Sequence, residues 1–386
     1  MSQVVKNFNL DKETIINDYY VAYLSRQASL IGRKEVLAGR AKFGIFGDGK
    51  ELAQIALAKF FQKGDWRSGY YRDQSIMFAL GEYRVEHFFA QLYADANIER
   101  EPHSGGRQMN CHFSSRYIKD AKWLIQKNLY NSSSDISPTA GQMSRLLGLA
   151  YASKLYRSVA ELKSNIKSRD FSTNGEEVAF GTIGNASTSE GIFWETMNAA
   201  CVLKVPLLMS IWDDDYGISV PNYYQTVKES ISKALAGFSY ENGTGLKIYT
   251  VKGYDYKELI SVYQQASVVC RRDHTPCLVH VTHISQPQGH STSGSHERYK
   301  SKTRLEYEKE IDCLSQMKSW LLQEKYATEK QIETLEKKAF SLVQEKKQQA
   351  WEKFQKDIYK DSQKLVKIIE SLGEKKLLSD ISKPKL

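Results

Sequence analysis

Two hydrophobic patterns alternate along the second half of the chain. Apolar runs at 178–183, 205–212, 246–251 and 276–284 are separated by amphipathic stretches near 188–203 and 255–272. Short apolar runs joined by amphipathic helices predict parallel strands, buried on both faces and connected by right-handed crossovers. The expected fold is therefore α/β, with a doubly wound, mostly parallel sheet. Nearer the N-terminus, Ile15, Tyr19, Tyr23 and Leu24 recur at helical spacing and predict a helix from Asp11 to about Leu37. Behind the glycines of "FGIFGDG", the stretch "KELAQIALAKFF" predicts another, and Pro138 to Tyr156 a third. Between Ser68 and Ser137 the chain is polar and reads as loops. After about Ser301 it is charge-dense and nearly free of glycine and proline, which predicts a pair of solvated helices packed on the domain; a coiled-coil partner surface is the other reading, disfavoured because the heptads are not sustained. The organisation expected is an α/β domain over 1–300 and a charged helical extension over 301–386, its end after Lys356 a linker or a loosely docked tail.

A parallel sheet binds ligands outside the carboxyl ends of its strands. "GNASTSEG", "DDDYGIS" and "HISQPQGHSTSGSH" all fall at that edge. Asn185 and Asp214 follow successive strands and can point into one crevice. An amide, a carboxylate and a nearby backbone carbonyl, for which Tyr216 is placed, suit a hard divalent cation. Magnesium keeps waters and substrate phosphates rather than an all-protein cage, so such a site implies a phosphorylated ligand. Ser187, Thr188 and Ser189 open the next helix, whose amides favour an anion; an ordinary capped helix start has the same residues.

Composition adds limits. The net charge of +9 is scattered rather than gathered into a basic block, which disfavours nucleic acid and suits an anionic substrate or acidic partner. Cys111, Cys201, Cys270, Cys277 and Cys313 form no CxxC pair and read as reduced packing residues. The N-terminus lacks an apolar signal core, and no apolar run approaches membrane-spanning length. A soluble cytoplasmic protein is expected, with no membrane partner.

The segment "GNASTSEGIFWETMNAACVLKVPLLMSIWDDDYGIS" resembles the thiamine-diphosphate motif of the alpha subunits of 2-oxo acid dehydrogenases. In that family the first position is Asp and the later metal ligand is Asn. Here Asn185 and Asp214 exchange those types, so one carboxylate and one amide remain, a compensated swap. Ala186 replaces a glycine of the turn. "YYRDQSIMFALG" resembles the family's diphosphate loop and implies cofactor contacts from Tyr71 and Arg72. "GGRQMNCHF" matches its glycine-rich loop, with Arg107, Gln108 and His112 in register, and "ISPTAGQ" its cofactor turn, implying Ser137 and Thr139. Ile136 and Gly141 replace hydroxyl residues there, so the potassium site of some relatives is not implied. "GHSTSGSHERYK" resembles the loop near the reacting carbon, with Gly294 in place of an aspartate. The branched-chain members match most closely.

The resemblance implies the thiamine-diphosphate-binding fold and a specific set of roles. Asn185, Asp214 and Tyr216 would hold Mg²⁺. Gly184, Ala186, Ser187, Glu190, Tyr71, Arg72, Ser137 and Thr139 would contact the cofactor. His290 would assist catalysis, and Gln108, His112 and Ser291 would meet substrate. Plain readings stand beside these: His290 as a surface loop histidine, His112 as the filler of a buried turn, Glu190 as a first-turn acid. Zinc at His280 and His283 is disfavoured, because both lie on one strand and face opposite sides. Ser291 and Ser293 occupy positions phosphorylated in some relatives. The implied reaction is decarboxylation of a branched-chain 2-oxo acid or pyruvate, with acyl transfer to lipoyl groups. The family's activating glutamate belongs to a beta subunit, so half an active site, a two-alpha two-beta assembly and an acyltransferase partner are expected. Two other readings remain: an acetoin dehydrogenase alpha subunit, and a non-catalytic scaffold relative, against which the charge-conserving exchange argues.

Overall fold

The computed structural model describes residues 10–373; the first nine residues, read as lacking a targeting signal, and the tail from 374 onward lie outside them. Six strands form the central sheet: β1 (Trp66–Ser68), β2 (Asn131–Ser132), β3 (Ala179–Gly184), β4 (Leu207–Trp212), β5 (Lys247–Lys252) and β6 (Cys277–Thr282). Their spatial order is β2-β1-β3-β4-β6-β5, and every neighbouring pair is parallel. β3 to β6 fall where the apolar runs place them. β1 and β2, three and two residues long, lie just ahead of and within the stretch read as loops and are too short to carry a period.

Alternation along the strands divides the core between two faces. Phe180, Leu208, Val279 and Val281 pack toward α1 (Lys12–Leu37), α2 (Glu51–Ala58) and the helix Tyr256–Asp273, against residues such as Ile15, Leu52, Ile55 and Leu259. Ala179, Leu207, Met209 and Leu278 face the helices Met143–Ser158 and Gly191–Leu203, meeting Leu146, Phe193 and Met197. The sheet is thus doubly wound. A third cluster joins the helix Val85–Leu92 to α1 through Phe88, Phe89 and Ala28.

The charged C-terminal segment forms three helices rather than a pair: Lys302–Glu310, Cys313–Gln323 and Glu329–Ser371. They pack on the domain, as expected of them. Leu314, Met317, Leu321 and Ile332 enter the same core as the sheet, and Val343 and Ala350 join the cluster of Phe88. The last helix begins in a capping box, Thr328 with Gln331, and runs on past Lys356. Its charge describes the outward face; the buried stripe is a minority of positions and is diluted in the composition.

One turn positions much of the site. Gly49, at φ +88°, approaches the loop after β6 so closely that a Cβ would stand 1.9 Å from the Ser285 carbonyl oxygen. The Gln288 backbone N–H donates to Asp48 Oδ2 at 3.0 Å, and that of Thr292 to the Gly44 carbonyl at 3.1 Å. Gly49→Ala is expected to cost about 1–3 kcal/mol from backbone strain and the enforced separation of these segments. A denaturation midpoint equal to that of the parent protein would show that the contact is dispensable.

Candidate active site

A cavity of about 390 Å³ opens outside the carboxyl ends of the strands. It is walled by the segment after β1 (Tyr70 to Arg72), the turn after β3 (from Gly184), the loop after β4 (from Asp214) and the loop after β6 (from Gln286). β1 is followed in the chain by its neighbour on one side, β2, whereas β3 is followed by β4 on the other. The cavity therefore sits at the reversal of strand order, where a doubly wound sheet leaves a crevice.

Asn185, Asp214 and Tyr216 all line it. Asn185 is buried, and its Nδ2 has no hydrogen-bond partner among the described residues. A buried amide with one end unpaired on a cavity wall is a group whose partner a bound ligand would supply. Asp214 Oδ1 accepts from the Tyr216 backbone N–H at 3.3 Å, and its Oδ2 stands 3.8 Å from the Nζ of Lys50, another lining residue. This donor set fits magnesium that keeps waters and phosphate oxygens. Among the described residues no group of three His, Cys, Asp or Glu side chains gathers into a fuller cage.

The turn after β3 differs in detail from a helix start. Residues Ala186–Ser189 form a separate 3₁₀ turn, and the helix begins only at Gly191. The cause is Thr188, whose buried hydroxyl donates back to the Asn185 carbonyl at 2.5 Å and tightens the turn. Gly184, Ala186, Ser187 and Ser189 line the cavity. Ala186 needs no left-handed conformation. Its methyl fits because the residue opposite is Gly217, where a Cβ would lie 2.6 Å from that of Ala186. Glu190 is exposed at the N-cap of the following helix, makes no side-chain cap bond and does not line the cavity.

Tyr71, Arg72, Thr139 and His290 also line it. Arg72 is buried, with its terminal nitrogens donating to the carbonyls of Phe46 and His290, each at 2.7 Å. Much of its fork is thus spent on tying the His290 loop to the body. Burial, aided by Arg72, pushes the His290 imidazole down to about 4, so it is neutral at physiological pH. His112 is one ring removed, stacked on Tyr71 at 6.4 Å, with Nδ1 near the Asn110 carbonyl (3.3 Å) and Nε2 near Ser137 Oγ (3.2 Å). Burial lowers its pKa as well. Ser137, Gln108 and Arg107 are exposed and off the cavity wall. Ser291 is buried, its hydroxyl 2.7 Å from that of Ser293, and it too lies off the wall.

Several wall residues escaped the sequence reading. Lys50 is 2% exposed and donates to Gln286 Oε1 at 2.5 Å; its Nζ stands 3.8 Å from Asp214 Oδ2. Burial lowers its pKa to about 8. A lysine heading α2 opposes the helix dipole, a local anomaly that could have flagged it. Lys300 also lines the cavity, paired with Glu308 at 2.6 Å. Asp215 accepts from Arg304 at 2.6 Å, and the same guanidinium donates to the Asp214 carbonyl at 2.9 Å. Asp213 is buried against His280 Nε2 at 2.7 Å, the position of a second-layer support rather than a ligand. Lys50, Arg72 and Lys300 against Asp214 give the wall an excess of positive charge, which favours an anionic ligand.

The chain is 27% identical over 286 residues to 2-oxoisovalerate dehydrogenase subunit alpha of Bacillus subtilis (strain 168), covering 74% of both chains. It is 24% identical over 336 residues to pyruvate dehydrogenase E1 component subunit alpha of Acholeplasma laidlawii, covering 86% of this chain and 83% of that one. To 2-oxoisovalerate dehydrogenase subunit alpha 2, mitochondrial, of Arabidopsis thaliana it is 25% identical over 285 residues, covering 73% of this chain and 52% of that one. The profile of the family described as "Dehydrogenase E1 component" matches residues 21–358, a span that contains every segment walling the cavity, and the chain belongs to that family.

Proposed function

We propose that this chain is the alpha subunit of the thiamine-diphosphate-dependent component of a 2-oxo acid dehydrogenase. It decarboxylates a branched-chain 2-oxo acid or pyruvate and passes the acyl group to lipoyl groups of an acyltransferase. The observation that carries this reading is the convergence of Asn185, Asp214 and the Tyr70–Arg72 loop on one cationic cavity at the strand ends, within the span that matches the family. Thiamine diphosphate supplies, when bound, the carbanion stabilisation that loss of carbon dioxide requires.

The chain's own residues would bind and orient. Asn185, Asp214 and the Tyr216 carbonyl would hold magnesium, and Tyr71, Thr139 and the turn at 184–187 would meet the diphosphate. Arg72 fixes the loop that carries His290 by holding its carbonyl. The His290 ring, neutral at physiological pH, is suited to accept a proton at one nitrogen while donating from the other. The activating glutamate comes from a beta subunit, in a two-alpha two-beta cytoplasmic assembly. Among the described residues no helix is long and apolar enough to cross a membrane.

The test is purification with and without the beta chain, followed by carbon dioxide release from a panel of 2-oxo acids and acylation of a lipoyl domain. Turnover is expected only in the pair. A pair that binds thiamine diphosphate but cleaves acetoin without releasing carbon dioxide would establish the acetoin dehydrogenase reading; a pair that binds none would leave a scaffold.

A further inference from the structure

Three cations line the cavity, and their hydrogen bonding differs. Arg72 holds two backbone carbonyls, and Lys300 is paired with Glu308. Among the described residues Lys50 has one hydrogen-bond acceptor, Gln286 Oε1; the nearest carboxylate oxygen, on Asp214, stands 3.8 Å away, beyond hydrogen-bond reach. An ammonium carries three donors. Asp214, Asp48 and Glu51 offset its charge from beyond hydrogen-bond reach, so what this 2%-exposed lysine on a cavity wall lacks is acceptors for its remaining donors.

Its placement is rigid. Gln286 Nε2 donates to the Gly289 carbonyl at 2.9 Å, so the acceptor that orients Lys50 is itself held. The closeness of Gly49 to Ser285 locks the preceding turn. The ammonium therefore cannot swing to water without opening the interface between the 44–50 and 285–292 segments.

We infer that Lys50 is a built-in cation of the diphosphate site, donating to a phosphate oxygen and supplying from the chain part of the positive charge that a divalent ion would otherwise supply. The inference rests on the diphosphate reading above. It makes diphosphate binding partly independent of magnesium. Asp214 then has two roles: it faces the divalent ion when that is bound, and it offsets Lys50 when the cavity is empty of anions.

The test is calorimetric titration of inorganic pyrophosphate, which reports the anion half of the site without the thiamine ring. It is run on the chain co-purified with its beta partner, with excess Mg²⁺ and then with chelator, for the parent protein, Lys50→Gln and Lys50→Arg. In chelator the parent is expected to keep measurable binding, Lys50→Gln to bind about 30-fold more weakly or worse, and Lys50→Arg to stay within about 5-fold of the parent, since a charge-assisted bond is lost in the first and retained in the second. Thermal melts confirm that the variants fold. Equal binding by Lys50→Gln and the parent in both conditions overturns the inference and leaves the diphosphate site standing. Loss of all parent binding in chelator overturns it without recourse to a variant. No parent binding even with Mg²⁺ overturns the diphosphate reading and the inference together.

Discussion

Asp214→Asn is expected to weaken Mg²⁺-dependent binding of thiamine diphosphate about 100-fold, the range seen when a metal site loses an ordering or ligating group. Asp214 is the carboxylate on the cavity wall among the described residues, and its neighbour across the site, Asn185, is already an amide. Two amides leave the divalent ion no formal counter-charge from the wall, while Lys50 loses its nearest carboxylate, 3.8 Å away in the parent, and keeps only the more distant Asp48 and Glu51. The double exchange with Asn185→Asp restores one carboxylate and is expected to recover affinity to within about 10-fold of the parent, a deficit of about 1.4 kcal/mol. Recovery is incomplete because position 214 contributes more than a formal charge. Its carboxylate is oriented by the Tyr216 N–H and faces Lys50, and neither feature moves to position 185. Calorimetry with Mg²⁺ decides the matter. If Asp214→Asn binds as tightly as the parent, the carboxylate serves the turn and Lys50 rather than a metal.

Asp73→Ala is expected to lower stability by about 3–5 kcal/mol, the usual cost of stripping one partner from a buried charge network. Asp73 is fully buried; its Oδ2 accepts from Arg67 NH2 (2.7 Å) and Nε (3.0 Å), the Tyr70 backbone N–H (3.0 Å) and the Thr182 hydroxyl (2.5 Å). Its Oδ1 accepts from Trp212 Nε1 at 3.2 Å. One carboxylate thus ties together β1, β3, β4 and the start of the Tyr70–Arg72 segment. Removal leaves Arg67 buried with Asp135 as its remaining carboxylate partner, at 2.9 Å. Asp73→Asn keeps acceptor geometry but not charge, and is expected to fall between Ala and the parent. Denaturant unfolding followed by Trp fluorescence is the measurement. A midpoint for Asp73→Ala matching the parent would mean that water replaces the carboxylate, and that the loop carrying Tyr71 and Arg72 is anchored otherwise.

How far the chain could be read without its structure depended on the distance over which each feature is decided. β3 to β6 and the helices between them were legible because a strand buried on both faces is a continuous apolar run and a crossover helix repeats its apolar face every turn. The meeting of Asn185 and Asp214 was legible for the same reason, since successive parallel strands deliver their carboxyl ends to one edge. β1 and β2 were not, because two or three residues hold no period. The C-terminal helices were legible as charged and packed on the domain, but not the positions that join its core, because a few apolar residues such as Ile332, Val343 and Ala350 suffice when another helix supplies the facing surface.

By itself, then, the sequence determined the doubly wound sheet, the edge at which its cavity opens and the residue types at the ends of β3 and β4. These follow from local periodicity and from the fixed direction of a parallel strand. Only the tertiary structure decided the electrostatics of that edge. It brought Lys50 from the head of α2 against Asp214, gave Asp213 to His280 and Asp215 to Arg304, and moved Glu190, Gln108 and Ser291 off the cavity wall. The physical reason is that a charge is governed by whatever lies within a few ångströms of it, and in a folded chain those neighbours come from segments far apart in sequence.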